Sequence, residues 1–471
     1  MRVLDSLEPK RVFRYFEDLC GIPHGSGNTD AISDYCVAFA VRHGLEHLKD
    51  AHNNVIIRKP ASAGYEDHPP VILQGHLDMV CEKEPDCPLD FLRDGLNLRV
   101  DGDWVSADGT TLGGDDGIAV AMALAILEDD TLPHPALEAL FTTDEETGMF
   151  GAEGLDPACL RGRTLINADS EAEGVLTVGC AGGARVEITL PLATAPLTAP
   201  CKQVTVGGLI GGHSGVEIDR GRLNANILMG RFLQSLDAPF SLVSVAGGAK
   251  DNAIPRQCVC VLATDADLEA AAERFVAAER VDTDPDLSVT VADAPAATTA
   301  VTPADSARAA AFLATVKNGV QAMSTAIPGL VETSLNLGVL RLTGDSLLAT
   351  FSVRSAVGAA KQRLLDDLEA TAHTFGGTYS SHGHYPAWEY RENSRLRDTM
   401  VAVYEEMTGQ KPVVEIIHAG LECGLFSDKI PGLDAVSFGP DMRDIHTSRE
   451  RLSIPSVART YAYLLRVLAA L

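Results

Sequence analysis

Apolar and polar positions change rhythm twice along the chain and divide it into three stretches. In residues 1–186 helical and strand patterns alternate. Residues 31–43 read as a helix, VILQ at 71–74 as a short buried strand, and 118–127, rich in Ala, Val, Met, Leu and Ile, as a helix with Asp115 and Asp116 at its start. LEALFTT (137–143) and TLINA (164–168) follow as strands. This alternation predicts an α/β layer with a mainly parallel sheet. Near 185–200 the strand-like RVEITLPLATAPLTAP breaks into Ala, Thr and Pro, which suggests a domain crossing. Residues 187–387 then carry the strand patterns KQVTVGGL, VSVAGG, CVCVLAT, LSVTVAD and LLATFSVRSA, separated by helical segments at 224–236, 268–278, 307–317 and 360–374. An α+β domain is expected there, with the Ala-rich stretch 293–305 as a loop. From 388 the first texture returns, with an amphipathic helix in RENSRLRDTMVAVYEEM, a strand at 434–438 and a closing helix at 457–471. The expected architecture is a two-domain α/β protein, one domain built from 1–186 and 388–471 and the other, 187–387, inserted into it. No internal repeat appears.

Composition narrows the class without changing this outline. A chain of 471 residues exceeds one ordinary core, and 46% hydrophobic with 22% charged residues is the balance of a soluble globular protein. The net charge of −27 argues against nucleic acid or an anionic membrane as partner, because the long-range field repels both. The opening MRVLDSLEPKRVFRYFEDLCGIP has no continuous apolar core of a signal peptide, and no apolar stretch is long enough to span a bilayer. Ten cysteines without a C-x-x-C pair suit reduced thiols in a cytoplasm.

The chemistry-bearing residues share one position: each follows a strand or opens a helix. GHLDMV (75–80) delivers His76 and Asp78, and TLGGDDGIAVA carries Asp115. FTTDEETG holds Glu145 and Glu146, LINADSE holds Asp169, and SFGPDMRDIHTSRER holds His446. Each alone has a plainer explanation, as a strand cap, a helix N-cap, a solvated turn or a surface histidine. Together, at the carboxyl ends of strands in an α/β sheet, they supply imidazoles and carboxylates that can converge on one point. That mixture suits zinc or a similar divalent ion, and the number of donors exceeds what one catalytic zinc uses. Two ions sharing a carboxylate would use them all, with one of the adjacent glutamates free to take a proton.

GHLDMV, TLGGDDGIAVA, DEETGMFGA, LINADSE, GGHSG and HTSRER, in this order over almost the whole chain, resemble the co-catalytic zinc exopeptidases related to carnosinases and glutamate carboxypeptidase. LCGIPHGSGN (19–28) and HAGLECGLF (418–426) point to the branch that cleaves dipeptides. The resemblance implies a phosphorylase/hydrolase-like catalytic domain and an inserted lid or dimerisation domain. It implies His76 and Asp169 on one metal, Glu146 and His446 on the other, and Asp115 bridging them, with a cis peptide after Asp115. Asp78 would hydrogen-bond His76 and fix its orientation, and Glu145 would be the general base. In the middle domain His213 of GGHSG would reach a substrate oxyanion and Arg354 of FSVRS would bind the substrate carboxylate. Asn336, with Asn224 or Asn226, and Glu422 with Gly420 and Gly424 are weaker substrate-binding candidates, for which turn and loop structure serves equally well.

The expected activity is hydrolysis of dipeptides, with a preference for those ending in histidine and a broader range beside them, by a cytoplasmic homodimer holding two divalent ions, zinc first and manganese or cobalt as alternatives. The rivals are another amidohydrolysis on the same site, such as deacylation of N-acyl amino acids or tripeptide trimming, and a catalytically silent binding protein. GGHSG is not a nucleophile elbow, since Val216 stands where G-x-S-x-G would continue, and no phosphate-binding glycine motif occurs.

Overall fold

The computed structural model describes residues 2–325 and 327–471. The chain divides into two compact units, one of residues 1–179, 390–416 and 421–471, the other of 180–389 and 417–420.

The first unit is built on an eight-stranded sheet in the order Glu46–Lys49, Val55–Lys59, Leu137–Thr142, Val71–His76, Thr164–Asn167, Asp434–Ser437, Val175–Cys180, Val413–Ile417. The four strands at its centre, from Leu137–Thr142 to Asp434–Ser437, run parallel, with antiparallel strands towards the edges. Every residue of Val71–His76 and Leu137–Thr142 is buried, as expected for strands covered on both faces. Against Val71–His76 packs the helix Gly114–Glu128, buried along nearly its whole length, which explains its lack of an amphipathic stripe. Lys59, itself buried, donates its ammonium to the carbonyls of Ile126, Leu127 and Asp129 and so closes that helix at its C-terminal end. A smaller sheet joins Leu98–Asp101, Trp104–Ala107, Arg451–Ser453 and Met442–Arg443.

The second unit holds a nine-stranded antiparallel sheet, running Ser288–Asp293, Lys202–Gly207, Cys258–Thr264, Phe240–Gly247, Val331–Thr343, Ser346–Ser355, Gly182–Pro191, Thr378–Tyr385, with Gly319–Met323 also paired to Val331–Thr343. Its core combines Val186, Ile188, Phe351 and Leu242 from strands with Met229, Phe232, Phe312 and Leu365 from helices. Side-chain caps start three of its helices: Asn224 accepts from the amides of Asn226 and Ile227, Asp267 from Ala270, and Thr302 from Asp305.

Two expectations about organisation change. A boundary after residue 186 would cut the strand Gly182–Pro191, whose every residue pairs with Ser346–Ser355, so the second unit begins at Cys180. The Ala/Thr/Pro stretch is likewise no crossing: Thr194–Pro196 pairs with Thr299–Val301 inside the second unit. The segment 293–305 is therefore not plain loop. It contributes that strand, and Thr302-Pro303 opens the helix Pro303–Thr315 with a hydroxyl cap and a proline in its first turn.

Candidate metal centre

Register brings the site together. Along the parallel strands His76 lies level with Thr142, and Gln74 level with Asn167, which is itself level with Ser437. The chain leaves all these strands on the same edge, so the segments that follow carry Glu145, Glu146, Asp169 and His446 to one place. The helix Gly114–Glu128 adds Asp115 from its first turn, with Gly113 in the left-handed region (φ 66°) and a cis bond between Asp115 and Asp116, as the resemblance implied.

Asp115 divides its two oxygens between the two histidines. Oδ1 lies 3.1 Å from His76 Nε2, and Oδ2 lies 3.2 Å from His446 Nε2. His446 Nε2 is also 3.0 Å from Glu146, and His76 Nε2 is 3.8 Å from Asp169 Oδ1. Donor atoms lie within 4.8 Å of one another in each of three sets: Asp115, Glu146 and His446; His76, Asp116 and Asp169; and His76, Glu145 and Glu146. The site is closed at His76, 1% exposed, and open at His446, 46% exposed. His446 has a left-handed backbone (φ 58°), uncommon for a residue with a side chain. Its loop is held by Arg443 and Arg451, whose guanidiniums lie 5.1 and 5.0 Å from the centre of the Trp104 ring.

Electrostatics favour cationic guests. Burial, together with the Asp115 and Glu422 charges, pushes the Asp116 carboxyl well up. Burial and Asp116 do the same to Asp169. Glu145 rises to about 8, by burial and the charges of Glu422, Glu146 and Asp115, against the pull of His76. Burial opposes charge on His76, yet the Asp115 hydrogen bond and the Asp169 and Asp78 charges raise it well above an ordinary imidazole. His446 rises to about 10 through its hydrogen bonds to Asp115 and Glu146. Five carboxylates crowd against two imidazoles, all oxygen and nitrogen donors with no thiolate, which fits divalent ions of the zinc, manganese or cobalt kind.

Asp78 does not orient His76 through its side chain. His76 Nδ1 bonds the main-chain carbonyl of Asp78 at 2.9 Å, while the carboxylate Oδ1 stands 3.6 Å away. That carboxylate accepts instead from the amides of Glu145 (3.0 Å) and Glu146 (3.3 Å) and from Ser26 Oγ (2.8 Å). Gly27 N donates to Asp144 Oδ1 at 2.6 Å, so the segment GIPHGSGN braces the turn that carries the two glutamates.

Glu422 is also placed differently from expectation. It is fully buried, its Oε2 accepting from Gln74 (2.6 Å) and Thr142 (2.7 Å), so it lines no accessible wall. Burial raises it to about 7. Gly424 is buried inside the helix Glu422–Lys429.

In the second unit His213 ends the short strand Gly212–His213. Its Nδ1 accepts from the amides of Gly215 (3.1 Å) and Val216 (3.2 Å), which assigns the ring proton to Nε2. Burial and the Arg354 charge lower its pKa, so the ring is a neutral N–H donor. Arg354, 9% exposed, donates to Tyr385 Oη at 3.1 Å and has no carboxylate within ion-pair distance among the described residues. A Cβ on Gly420 would lie 2.9 Å from the Tyr385 ring, so this glycine makes room for the tyrosine. His418, buried, hydrogen-bonds Ser334 Oγ at 2.7 Å, and burial with Arg354 and His213 lowers it to about 4. Asn336 is occupied structurally: its amide donates to the carbonyls of Asp251 and Ala253 and its oxygen accepts from Asn224. Asn224 caps a helix and donates to Asn336 and Leu337, and Asn226 donates to the Leu337 carbonyl from full burial, so both serve the packing of this unit. Sequence reasoning missed Tyr385, His418 and Ser26. His418 and Ser26 sat inside quoted motifs, whereas nothing local marked Tyr385.

Residues 72–470 match the peptidase family M20/M25/M40. The cytosol non-specific dipeptidase of Escherichia coli (strain K12) is 37% identical over 482 aligned residues, covering 99% of each chain. Among solved structures, the aminoacylhistidine dipeptidase of Vibrio alginolyticus superposes with a TM-score of 0.93 at 36% identity, over 99% of this chain and 98% of that one. An aminopeptidase of Bacillus cereus ATCC 10987 shares the fold, at 15% identity and a TM-score of 0.59 over 98% of both chains. A full-length relative above one-third identity, a matching family over most of the sequence and a paired set of imidazole and carboxylate donors agree: the chain belongs to peptidase family M20/M25/M40.

Proposed function

We propose that this protein hydrolyses dipeptides, including those ending in histidine, with two divalent ions, zinc the first candidate. The observation that carries this is Asp115, with one oxygen towards His76 and the other towards His446, beside the buried carboxyl of Glu145. His76 and Asp169 would hold one ion, Glu146 and His446 the other, and Asp115 both. Bound there, the ions would acidify the attacking water and polarise the scissile carbonyl.

Glu145 takes the proton of that water and returns it to the leaving amine. Asp78, accepting from the amides of Glu145 and Glu146, holds the base in place. Burial and the neighbouring carboxylates raise Glu145, and cations bound beside it would offset that negative charge. His213 offers its Nε2–H to the developing oxyanion, and Arg354 takes the substrate carboxylate with its planar fork. In this scheme the first unit is the catalytic one and the second the lid or dimerisation unit. A place in the cytoplasm goes with the E. coli relative's name, and a homodimer rests on the resemblance alone. No helix among the described residues is long and apolar enough to cross a membrane.

Chelation followed by re-loading tests this. Exhaustively EDTA-treated protein is expected to lose hydrolysis of a panel of free dipeptides and to regain it with Zn²⁺, Mn²⁺ or Co²⁺. Activity that survives chelation, or turnover confined to N-acyl amino acids or tripeptides, would overturn it.

Tyr385→Phe removes the acceptor that orients Arg354. It is expected to raise KM for free dipeptides roughly tenfold, the worth of one hydrogen bond to a charged group, with kcat little changed. C-terminally amidated dipeptides should show no such rise. An equal rise for both would remove the link to the carboxylate.

A further inference from the structure

Glu450 stands four positions after His446, at the end of the same loop, and is 3% exposed. Its carboxylate reaches the start of the helix Gly114–Glu128 and accepts four consecutive main-chain amides. Oε2 takes Leu112 N (2.7 Å) and Gly113 N (3.2 Å), and Oε1 takes Gly114 N (2.8 Å) and Asp115 N (3.4 Å). These amides have no partner one turn back, because a helix leaves its first N–H groups unsatisfied. Neither Gly113 nor any other residue before the helix supplies a side-chain cap. A carboxylate from 335 or more residues away does so instead.

The consequence lies in what the two ends of this link carry. One end is the backbone of Asp115, whose Oδ2 faces His446; the other is the loop that carries His446. The His446 ring is the exposed part of the cluster and its backbone is left-handed, so its own packing constrains it less than burial constrains His76. Glu450 shortens the mechanical path between Asp115 and His446 to one side chain. His76 and Asp169 have no such dependence, since both follow strands of the parallel sheet directly.

We propose that Glu450 is a positioning residue that holds Asp115 and His446 at a fixed separation and thereby builds the metal half-site of Asp115, Glu146 and His446. The proposal rests on the two-ion reading above. Asp115 stays anchored through its helix on Val71–His76, so losing the link frees His446 above all and the effect on the two ions is unequal, which a merely structural role would not produce.

The test uses full-length Glu450→Gln, which keeps the shape of the side chain but turns one oxygen into a donor facing the amides. Apo-protein is titrated with Zn²⁺ against a chromophoric chelator, circular dichroism and thermal unfolding report the fold, and kcat and KM are measured on a free dipeptide both below and at saturating metal. One ion is expected to bind as in the parent and the second about 10–100-fold more weakly, the usual cost of losing a residue that orients a ligand. Below saturation kcat should fall with KM nearly unchanged, and excess metal should restore part of it. Parental affinity for both ions overturns the proposal, as does equal weakening of both. Should the Gln variant not fold, Glu450→Asp, one methylene shorter with its charge kept, is read by the same criteria. A parent that binds fewer than two ions overturns the two-ion reading itself, and is seen before any variant is made.

Discussion

Glu145→Ala is expected to lower kcat for dipeptide hydrolysis by about 10²–10⁴-fold, the range typical for removing a positioned general base. The variant should keep its fold and both ions. Neither the His76–Asp115 contact nor the Asp115–His446–Glu146 set involves the Glu145 carboxylate. Its amide hydrogen bond to Asp78 is made by the backbone and survives truncation. The side chain instead sits buried beside Glu422, Glu146 and Asp115, and both burial and those charges raise its proton affinity. Metal content and steady-state rates together decide the matter. Near-parental kcat would remove Glu145 as the base, and loss of an ion alongside kcat would recast it as a ligand.

Asp115→Ala is expected to fail in the opposite way. Among the described residues Asp115 is the carboxylate whose two oxygens face both histidines, so its loss takes a donor from each half-site at once. The variant should bind fewer than two ions per chain in excess metal and hydrolyse dipeptides no faster than chelated parent protein. The start of the helix should survive, because the amides of Leu112, Gly113 and Gly114 keep their bonds to Glu450. Two ions with measurable kcat in this variant would remove the bridging assignment. Glu145→Ala without metal loss, set against Asp115→Ala with it, separates proton transfer from ion binding.

The comparison of expectation with structure turns on how far apart the partners lie. The buried strands at 71–74 and 137–143 were legible because apolar residues covered on both faces leave a short continuous run. The residues that would hold metal were legible for a related reason, each following a strand or opening a helix where an α/β sheet gathers its ligands. Asp78 shows where legibility ended. The resemblance implied an orienting bond to His76, but the main-chain carbonyl makes that bond, and the carboxylate serves a turn 67 residues later.

Glu422, Asn336 and Glu450 extend the same lesson. The resemblance left Glu422 and Asn336 open to substrate, whereas Gln74 and Thr142 take one oxygen of the first and Asp251, Ala253 and Asn224 occupy the second. Glu450 passed as one charge in HTSRER until its partners proved to be amides 335 to 338 residues back. By itself the sequence determined the order of elements, the parallel core of the first sheet and the residue types at its strand ends, since periodicity and burial are written locally. Only the tertiary structure decided which carboxylates face the histidines, which brace the backbone and which lie buried. Those roles depend on where distant segments of chain return, and hydrogen bonds saturate whatever donors they meet there.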